Sequence, residues 1–294
     1  MKNFYILMII IASLTTCNKP EDKVSFGIFA DCQFCDCETS GSRFYRNSKT
    51  KIKECIDTIN LHKDLKFIAG LGDLIDRNFS DFDDINTILS YSEHDIYHVI
   101  GNHDYEVEKS QLGQVAGKLG LTSEYYSFNI SRWKFIFLNG NDITFQTIDP
   151  EKISLAEKMT RKIKEKGGPN YYEWNGGIGK NQLNWLDKQL KQADRKNLKA
   201  VIFCHYPLLP LEAHTLWNHD EVLGILKQHD SVKLWINGHN HAGGYDQLEK
   251  IHFITFKGMV ETENENAFAR ITLTEKSIKI TGYGREDTRE LVVK

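Results

Sequence analysis

Five short blocks of acidic, amide and imidazole side chains hold the residues whose types and spacing suit catalysis. In chain order they are Asp31-Cys32-Gln33, Gly72-Asp73-Leu74-Ile75-Asp76, Gly101-Asn102-His103-Asp104, His205, and Gly238-His239-Asn240-His241. Carboxylate and amide oxygens and imidazole nitrogens are ligands of divalent cations, and a carboxylate has two oxygens with which to bridge a pair of them. Two such cations can hold the attacking and the leaving oxygen of a phosphoryl transfer. The residue types therefore predict a two-cation centre suited to phosphate chemistry.

The position of each block along the chain strengthens this prediction. A Gly-Asp pair alone usually marks a turn, and a lone histidine usually packs in a core or lies on a surface. Each block here, however, follows an apolar run that predicts a strand: residues 24–30, 66–70, 96–100, 201–204 and 232–236. Open α/β sheets bind their ligands at the carboxyl ends of the strands, so we expect the blocks to converge there.

The remaining patterns complete an α/β arrangement. Amphipathic spacing predicts helices over residues 48–62, 83–91 and 151–166, and residues 125–130 and 133–139 predict a hairpin that turns at Ser131-Arg132. The tail, residues 251–282, is rich in strand patterns and has no evident helix. We expect two sheets flanked by helices in one domain, residues 24–294, with an irregular insertion near the site at about residues 141–179.

The N-terminus has the pattern of an export signal. One basic residue, Lys2, precedes an apolar run over residues 4–14, which is shorter than the roughly 20 residues that span a bilayer. The following Leu14-Thr15-Thr16-Cys17 resembles a bacterial lipobox. We expect residues 1–17 to be a signal peptide, Cys17 to be lipidated, and residues 18–23 to tether an exported protein to a bacterial membrane. An ordinary cleaved signal or a buried N-terminal strand is the alternative.

The overall charge does not identify a partner. The chain has 37 basic and 40 acidic residues among 294, for a net charge of −3. A nucleic-acid-binding protein of this size usually has a basic excess or a basic stripe, and neither is visible. We therefore expect no nucleic-acid partner, and no protein partner is predicted. The attraction for an anionic substrate must come from the site itself.

The cysteines leave two interpretations open. The six cysteines are Cys17, Cys32, Cys35, Cys37, Cys55 and Cys204. The C-x-x-C-x-C spacing of Cys32, Cys35 and Cys37 suggests zinc, but a structural zinc site takes four ligands and no second pair follows. We favour small residues in a tight loop, with one disulfide if the compartment is oxidising.

The order of the five blocks resembles the calcineurin-like metallophosphoesterase superfamily, over nearly all of residues 24–260. The resemblance implies a four-layer αββα sandwich of two mixed sheets flanked by helices. It also implies a first cation held by Asp31, Gln33 and His241, a second held by Asn102, His205 and His239, and Asp73 as the bridge. Two cations against the two carboxylates leave about +2, which suits a phosphoryl or diphosphate group.

Three further residues near the ligands have expected roles. His103 is expected to be the catalytic residue, which stabilises the charged transition state or protonates the leaving oxygen. Asp76 and Asp104 are expected to orient ligands rather than to bind a cation.

The first block departs from the superfamily pattern. The usual sequence is Asp-x-His, whereas here Gln33 takes the histidine position. A degenerate, inactive centre is the sceptical interpretation, but every other ligand position is filled. An amide oxygen is a harder donor than imidazole and favours Mn²⁺ or Mg²⁺ over zinc or iron. We expect two divalent cations, Mn²⁺ first, with Mg²⁺ or Fe²⁺ as alternatives.

Glutamine at this position resembles one subfamily, the manganese-dependent ADP-ribose/CDP-alcohol diphosphatases. Six longer blocks support the resemblance: Ala30-Asp31-Cys32-Gln33-Phe34, Gly41-Ser42-Arg43-Phe44-Tyr45-Arg46-Asn47-Ser48, Trp174-Asn175-Gly176-Gly177, Gln182-Leu183-Asn184-Trp185-Leu186, Gly238-His239-Asn240-His241-Ala242-Gly243-Gly244-Tyr245, and Gly258-Met259-Val260-Glu261-Thr262. The implied reaction is hydrolysis of ADP-ribose, CDP-choline or a similar compound to a nucleoside monophosphate and a second monophosphate.

Two other functions remain alternatives at this point. A phosphomonoesterase or a cyclic-nucleotide phosphodiesterase would use the same fold, and its products would differ. A surface lipoprotein that binds nucleotide or metal without turnover is the alternative from another class.

Four residues near the ligand blocks are candidates for binding substrate. Arg43 and Arg46 have planar guanidinium groups that suit a second phosphate, although a solvated helix start is an equal alternative. Phe34 and Tyr245 could stack on a base, and core packing is the alternative for both. His214 and His219 are interpreted as surface residues, because Asn218 followed by two acidic residues predicts a helix N-cap there.

Overall fold

Two six-stranded sheets form the centre of the molecule in the computed structural model, which describes residues 23–294. The strands are β1 (Val24–Phe29), β2 (Leu65–Gly70), β3 (Ile96–His98), β4 (Tyr126–Ile130), β5 (Trp133–Phe137), β6 (Lys199–Phe203), β7 (Val232–Asn237), β8 (Gly244–Leu248), β9 (Ile251–Thr255), β10 (Ala267–Leu273), β11 (Ser277–Gly284) and β12 (Arg289–Val292). The α-helices are α1 (Ser48–Asn60), α2 (Asp81–Leu89), α3 (Val115–Lys118), α4 (Pro150–Glu165), α5 (Lys180–Arg195) and α6 (His219–Leu226).

Each sheet mixes parallel and antiparallel pairs. The first has the order β12-β11-β10-β1-β2-β3, in which β1, β2 and β3 are mutually parallel. The second has the order β4-β5-β6-β7-β9-β8, in which β5, β6, β7 and β9 are parallel. The C-terminal part of the chain packs beside the first strand, since β10 pairs antiparallel with β1.

The alternation of side chains along the strands separates four layers. In β6, Val201 and Phe203 point into a core between the two sheets, whereas Ala200 and Ile202 point into a second core with helices α5 and α6. In β1, Phe26 joins the core between the sheets, and Phe29 joins a third core with α1 and α2. This confirms the predicted αββα sandwich of two mixed sheets flanked by helices.

The parallel strands bring the chemical blocks together. The loops after β1, β2 and β3 leave one sheet, and the loops after β6 and β7 leave the other, all at the carboxyl ends of parallel strands. The segment 141–179, predicted to be an irregular insertion, contains α4 and returns through Trp174 and Asn175 to the same end of the sheets.

Several local predictions need small corrections. The second helix begins at Asp81, two residues before the predicted start, because acidic residues fill its first turn. Asn218 does precede α6, but its side chain does not cap the helix. Its amide instead donates to the carbonyl of Ile178 and accepts from the Ile178 amide, which ties the helix to the preceding loop.

The predicted signal peptide, Cys17 and all but the last residue of the tether lie outside the residues that the structure describes. Within residues 23–294, no helix is long and apolar enough to cross a membrane. Cys35 and Cys37 form a disulfide, while Cys32, Cys55 and Cys204 are buried free thiols.

Candidate metal centre

Two groups of potential ligands meet at Asp73. Ligand atoms of Asp31, Asp73 and His241 all lie within 4.8 Å of one another, and so do ligand atoms of Asp73, His205 and His239. The shared carboxylate is buried between the two groups. Since each carboxylate oxygen can serve a different cation, this arrangement suits two adjacent cations with Asp73 between them.

The spacing of the donor atoms also fits atoms that share a cation. Nε2 of His205 lies 3.2 Å from Oδ1 of Asn102 and 3.3 Å from Oδ2 of Asp73. Nε2 of His241 lies 3.6 Å from Oδ1 of Asp31. Two metal–ligand bonds of about 2.1 Å at a right angle place their donor atoms about 3 Å apart. These pairs therefore have the separation of neighbours in one coordination shell.

Gln33 offers an amide to the site. Its Nε2 lies 3.0 Å from Oδ2 of Asp73 and 3.4 Å from Nε2 of His241, so a half-turn of the amide would bring Oε1 to face the same two ligands. Its buried Oε1 has no hydrogen-bond partner among the described residues, although the side chain lines an open cavity. A buried carbonyl oxygen without a donor is costly, and a hard cation would satisfy it. The chemistry of the donor set therefore fits divalent cations.

The ligand loops depend on unusual backbone geometry. Asp31, Gln33, Asp73 and His239 all have a positive φ, between 43° and 68°. Non-glycine residues rarely adopt this left-handed conformation, and it concentrates at functional sites. A side chain at Gly101 would collide with the carboxylate and backbone of Asp73, so only glycine lets the loops after β2 and β3 approach this closely.

Hydrogen bonds at Nδ1 orient His205 and His241. Nδ1 of His205 donates to the carbonyl of Leu71 at 2.8 Å, and Nδ1 of His241 lies 2.7 Å from Oε1 of Glu261. The hydrogen bond from His241 lowers the pKa of Glu261 to about 2, so the carboxylate accepts and Nδ1 carries the proton. Both rings thus present an unprotonated Nε2 to the centre when they are neutral.

Asn175 orients the third histidine. Its Nδ2 donates to the backbone carbonyls of Asn170 and Ala213 at 3.1 and 2.7 Å, which leaves Oδ1 facing Nε2 of His239 at 2.9 Å. Because an amide oxygen can only accept, Nε2 of His239 is the donor and Nδ1 is the atom with a free lone pair. Burial, together with neighbouring His205, lowers the pKa of His239 well below its usual value. The neutral ring is therefore ready to act as a ligand.

The charges at the centre are strongly coupled. Burial alone lowers the pKa of His205, but the Asp73 carboxylate raises it to about 9. Burial would raise the pKa of Asp73, yet His205 and His103 lower it below its usual range. The buried carboxylate thus requires positive charge beside it, and a divalent cation can take over that role from a protonated histidine.

Asp104 organises the loop after β2. Its carboxylate accepts hydrogen bonds from the backbone amides of Gly101, Asp73 and Leu74 at 2.8–2.9 Å. These bonds hold the left-handed turn that presents Asp73. Asp104 has its hydrogen-bonding capacity committed to the backbone, which suits a supporting role rather than a ligand.

His103 and Asp76 lie beside the ligand cluster. The backbone amide of His103 donates to Oδ1 of Asp73 at 2.9 Å, and its ring lines the cavity. Nδ1 of His103 lies 3.3 Å from Oδ1 of Asp76 and 3.7 Å from Oε2 of Glu106. The same nitrogen bonds to the backbone carbonyl of Asp76 at 3.2 Å, so Asp76 orients the ring mainly through its backbone, while Nε2 remains for the cavity.

An open cavity of about 320 Å³ lies above the cluster. Its lining comprises Gln33, Arg43, Asp73, Asn102, His103, Glu106, Trp174, His214, His239 and His241. Five of the seven expected ligands are among these residues, and Nε of Arg43 lies 3.9 Å from Oε1 of Glu261. A phosphate in this cavity would contact the ligand cluster and the guanidinium of Arg43 together.

The structure separates the four candidate substrate-binding residues. Arg43 lines the cavity as expected. Phe34 is only 4% exposed and packs with α1 and α2 in the core, which corrects the expectation that it stacks on a base. Arg46 is paired with Asp36 and Glu38 at the surface, away from the cavity lining.

The interpretations of Tyr245 and His214 also need correction. Tyr245 lies on β8 and its hydroxyl bonds to His252 and Gln247, so it does not line the cavity. His214, interpreted from the sequence as a surface residue, is half-buried in the cavity wall, with its ring 5.4 Å from that of His239.

The spacing of motifs in the sequence did not identify three residues that contribute to the site, which are Asn175, Glu261 and His214. Asn175 and Glu261 hold ligands that lie 64 and 20 positions away in the sequence, and each belongs to a block noted only for its resemblance. His214 follows a loop with no periodic pattern. A ligating histidine almost always donates its other ring nitrogen to an acceptor, and this rule would have prompted a search for Asn175 and Glu261.

The fold and this cluster define a class of protein. The family model of the calcineurin-like phosphoesterases matches residues 24–243. The chain belongs to the calcineurin-like phosphoesterase family and is a metal-dependent hydrolase.

Three similar proteins show which group within the family this chain resembles. The chain is 32% identical to a protein of Arabidopsis thaliana named manganese-dependent ADP-ribose/CDP-alcohol diphosphatase, over 89% of this chain and 94% of that protein. A protein of the same name from Xenopus laevis is 29% identical, over 92% and 91% respectively. A crystal structure described as a dimetal phosphatase from Danio rerio superposes with a TM-score of 0.81 at 26% identity, and covers 92% of this chain and 99% of that one. The resemblance inferred from the first block, with glutamine in place of histidine, is thereby confirmed.

Proposed function

We propose that the protein hydrolyses a nucleotide-linked diphosphate, such as ADP-ribose or CDP-choline, to a nucleoside monophosphate and a second monophosphate. The observation that carries this proposal is the pair of ligand groups that share Asp73 beside a cavity that Arg43 also lines. With two divalent cations bound, the ligand cluster would carry a net positive charge, and the guanidinium of Arg43 would add a separate one, which together match two linked phosphates. The names of the relatives support the same substrate class.

The proposed cation positions follow from the donor atoms. Asp31, Gln33 and His241 would hold the first cation, Asn102, His205 and His239 the second, and Asp73 both. Divalent cations bound there would supply Lewis-acid stabilisation of the reacting phosphate and activation of the attacking water. The amide oxygen of Gln33 favours Mn²⁺ among the cations that fit.

His103 is the proposed acid. Its Nδ1 bonds to the backbone carbonyl of Asp76 and faces the carboxylates of Asp76 and Glu106, which fixes the orientation of the ring. Nε2 then points to the cavity and can donate a proton to the phosphate oxygen that leaves. Without that proton the departing monophosphate would carry an extra negative charge into a buried site.

Arg43 is the proposed holder of the phosphate that is not attacked. Oε1 of Glu261 lies 3.9 Å from Nε of Arg43 and also accepts from His241, so one carboxylate positions both a ligand and the guanidinium. A bidentate contact from arginine orients a phosphate better than a single ammonium would. The diphosphate link would then lie across the cluster, with its scissile oxygen near His103.

The test is a hydrolysis panel with purified protein reconstituted with Mn²⁺. The substrates are ADP-ribose, CDP-choline, a cyclic nucleotide and a generic phosphate monoester. We expect two monophosphates and no inorganic phosphate from the diphosphates, at rates well above those for the other two. Preferential release of inorganic phosphate, or faster turnover of the cyclic nucleotide, would overturn the proposal in favour of another activity of this family.

Metal dependence is tested on the same preparation. Chelation should abolish turnover, and Mn²⁺ should restore it better than Zn²⁺ or Ca²⁺, because the centre contains three oxygen donors besides the bridging carboxylate. Full recovery with zinc and none with manganese would contradict the proposed metal preference while leaving the substrate class open.

We also propose that the protein is exported and lipid-anchored at Cys17. The apolar run over residues 4–14 and the lipobox-like residues that follow support this proposal. The disulfide between Cys35 and Cys37 is compatible with an oxidising compartment.

A further inference from the structure

A second cluster of metal-ligating side chains lies outside the centre described above. The Sγ atoms of Cys35 and Cys37 and a carboxylate oxygen of Asp76 all lie within 4.8 Å of one another. In the sequence, no second pair of ligands follows the C-x-x-C-x-C motif. The structure supplies one further ligand from the loop after β2, whereas Cys32 is buried apart, with its Sγ near the carbonyl of Ser48.

Asp76 is an unusual member of this cluster because it is only partly satisfied. The residue is fully buried, and its Oδ2 pairs with Arg77. Its Oδ1 has no hydrogen-bond partner among residues 23–294. A buried carboxylate oxygen without a donor costs free energy, and such atoms in a native protein call for a ligand or a function. Its neighbour Nδ1 of His103, 3.3 Å away, bonds to the backbone carbonyl of Asp76 instead, so the carboxylate has capacity left for a cation.

The two sulfurs differ in accessibility. Cys35 is buried and its Sγ accepts a hydrogen bond from Nδ2 of Asn78 at 3.3 Å, whereas Cys37 is partly exposed. A small thiol can therefore attack the Cys37 sulfur and form a mixed disulfide there, which releases Cys35 as a thiol. A second thiol resolves the mixed disulfide, so two reductant thiols become one disulfide and the protein gains two thiols.

We propose that the reduced form of this cluster is a binding site for a thiophilic divalent cation such as Zn²⁺ or Cd²⁺. The cation replaces the two thiol protons, which leave to solvent, and is held by two thiolates and the Asp76 carboxylate. Two thiolates select soft and borderline cations over Mn²⁺. Tetrahedral bonds of about 2.3 Å place the sulfurs about 3.8 Å apart, which Cα atoms 5.1 Å apart permit. The disulfide and the cation exclude one another.

Occupancy of this site has a consequence for the metal-dependent hydrolase, because Asp76 also faces His103. Oδ1 of Asp76 lies 3.3 Å from Nδ1 of His103. A cation that takes this oxygen neutralises the negative charge beside the His103 ring and can shift the backbone carbonyl of Asp76 to which Nδ1 bonds. Turnover should therefore fall when the reduced protein binds the soft cation, and this step alone rests on the proposed function of His103.

The experiment uses the full chain with its Mn²⁺ bound, once oxidised and once reduced, and titrates each with Cd²⁺. We expect the reduced protein to gain thiolate-to-cadmium charge-transfer absorbance that saturates at one cation per chain, and the oxidised protein to gain none. Cadmium that displaces Mn²⁺ from the catalytic centre gives no such absorbance, because that centre contains no cysteine. The signal therefore reports on the new site without any assay of activity.

Matched variants separate this site from the other thiols. Cys37→Ser should abolish the saturating absorbance and keep its Mn²⁺-dependent turnover, and Cys204→Ser, which removes a buried free thiol, should change neither. Asp76→Asn should weaken cadmium binding at least about tenfold. Absence of the absorbance from the reduced wild type, or its persistence in Cys37→Ser, would overturn the site. If the absorbance appears while turnover does not fall, the coupling to His103 is overturned and the binding site stands.

Discussion

Oδ1 of Asn175 accepts a hydrogen bond from Nε2 of His239 at 2.9 Å, and the remaining hydrogen-bonding capacity of the Asn175 amide is committed to backbone carbonyls. A half-turn of the Asn175 side-chain amide would break its two hydrogen bonds to backbone carbonyls. The tautomer of His239 is therefore determined by the segment 141–179, which contributes Asn175 but none of the proposed ligands.

Replacement of Asn175 tests this relationship. Asn175→Ala should lower the affinity of the second cation position about 10- to 100-fold, because His239 loses the acceptor that sets its tautomer. Asn175→Asp keeps an acceptor and should retain most of the affinity. Metal content after dialysis against graded free Mn²⁺ measures both. Equal losses in the two variants would show that orientation of His239 is not the role of Asn175.

Asp73→Asn should be the most damaging ligand substitution. The change removes a charge shared by both ligand groups, whereas Asp31→Asn affects one group. We expect Asp73→Asn to lose both cations and at least about 10³-fold in kcat, since loss of Lewis-acid stabilisation costs several kcal/mol. Elemental analysis with turnover provides the readout. A variant with two tightly bound cations and near-normal turnover would rule out the bridging role.

Gln33→His should relax the preference for manganese. Histidine replaces an amide oxygen by an imidazole nitrogen, which binds later transition metals more strongly. We expect zinc or iron to become competent at the first position and turnover to fall, because small displacements of reacting groups are costly. Metal content and turnover of each metal form are compared with wild type. The same ranking of metals in both proteins would show that Gln33 does not set the choice.

His98 should make the stability of the protein sensitive to acid. Burial lowers its pKa in the folded state from 6.5 to about 4. Between these values the unfolded chain binds the proton more strongly, so the contribution of neutral His98 is complete above pH 6.5 and is lost as the pH falls towards 4. From pH 7.5 to pH 5 the free energy of unfolding should fall by about 2 kcal/mol through this residue.

His98→Leu isolates that effect, because it keeps an apolar body and removes the titrating group. Denaturant unfolding of wild type and variant at pH 7.5 and pH 5, at equal metal content, should show a smaller loss in the variant. Parallel losses in the two proteins would mean that His98 titrates normally in the folded state.

Cys17→Ser should release the protein from membranes without altering catalysis. The lipobox-like sequence before a polar tether makes Cys17 the expected attachment point. Fractionation of a bacterial host that expresses each form, with turnover measured in both fractions, provides the comparison. Recovery of wild type as a soluble, unlipidated protein would refute the anchor.

The sequence was sufficient for the parts of the site that follow strands. Asp31, Asp73 and His205 each end an apolar run, and parallel strands leave no freedom over which end of the sheet their loops share. The same regularity predicted the two sheets and the outer helices, because alternating and helical apolar patterns report directly on the layers.

The positions of Phe34 and His214 could not be predicted from the sequence, because they depend on contacts between distant segments. Phe34 follows a ligand and was expected in the cavity, but its backbone pairs with Ile75 and directs the ring into the core. His214 reaches the cavity because its loop packs beside His239. Neither placement is encoded in local spacing, since both are set by which loops touch after the sheets have formed.

The left-handed backbone at Asp31, Gln33, Asp73 and His239 has a consequence for how the chain can change over time. Glycine adopts this conformation freely, whereas each of these residues costs the fold about 1 kcal/mol or more. Glycine at one of these positions would relieve the backbone but would also remove hydrogen bonds, such as those that Asp31 accepts from the backbone amide of His239 and that Asp73 accepts from the backbone amide of His103. The backbone cost and the candidate ligand side chain thus fall on the same residues, so neither can be changed without the other.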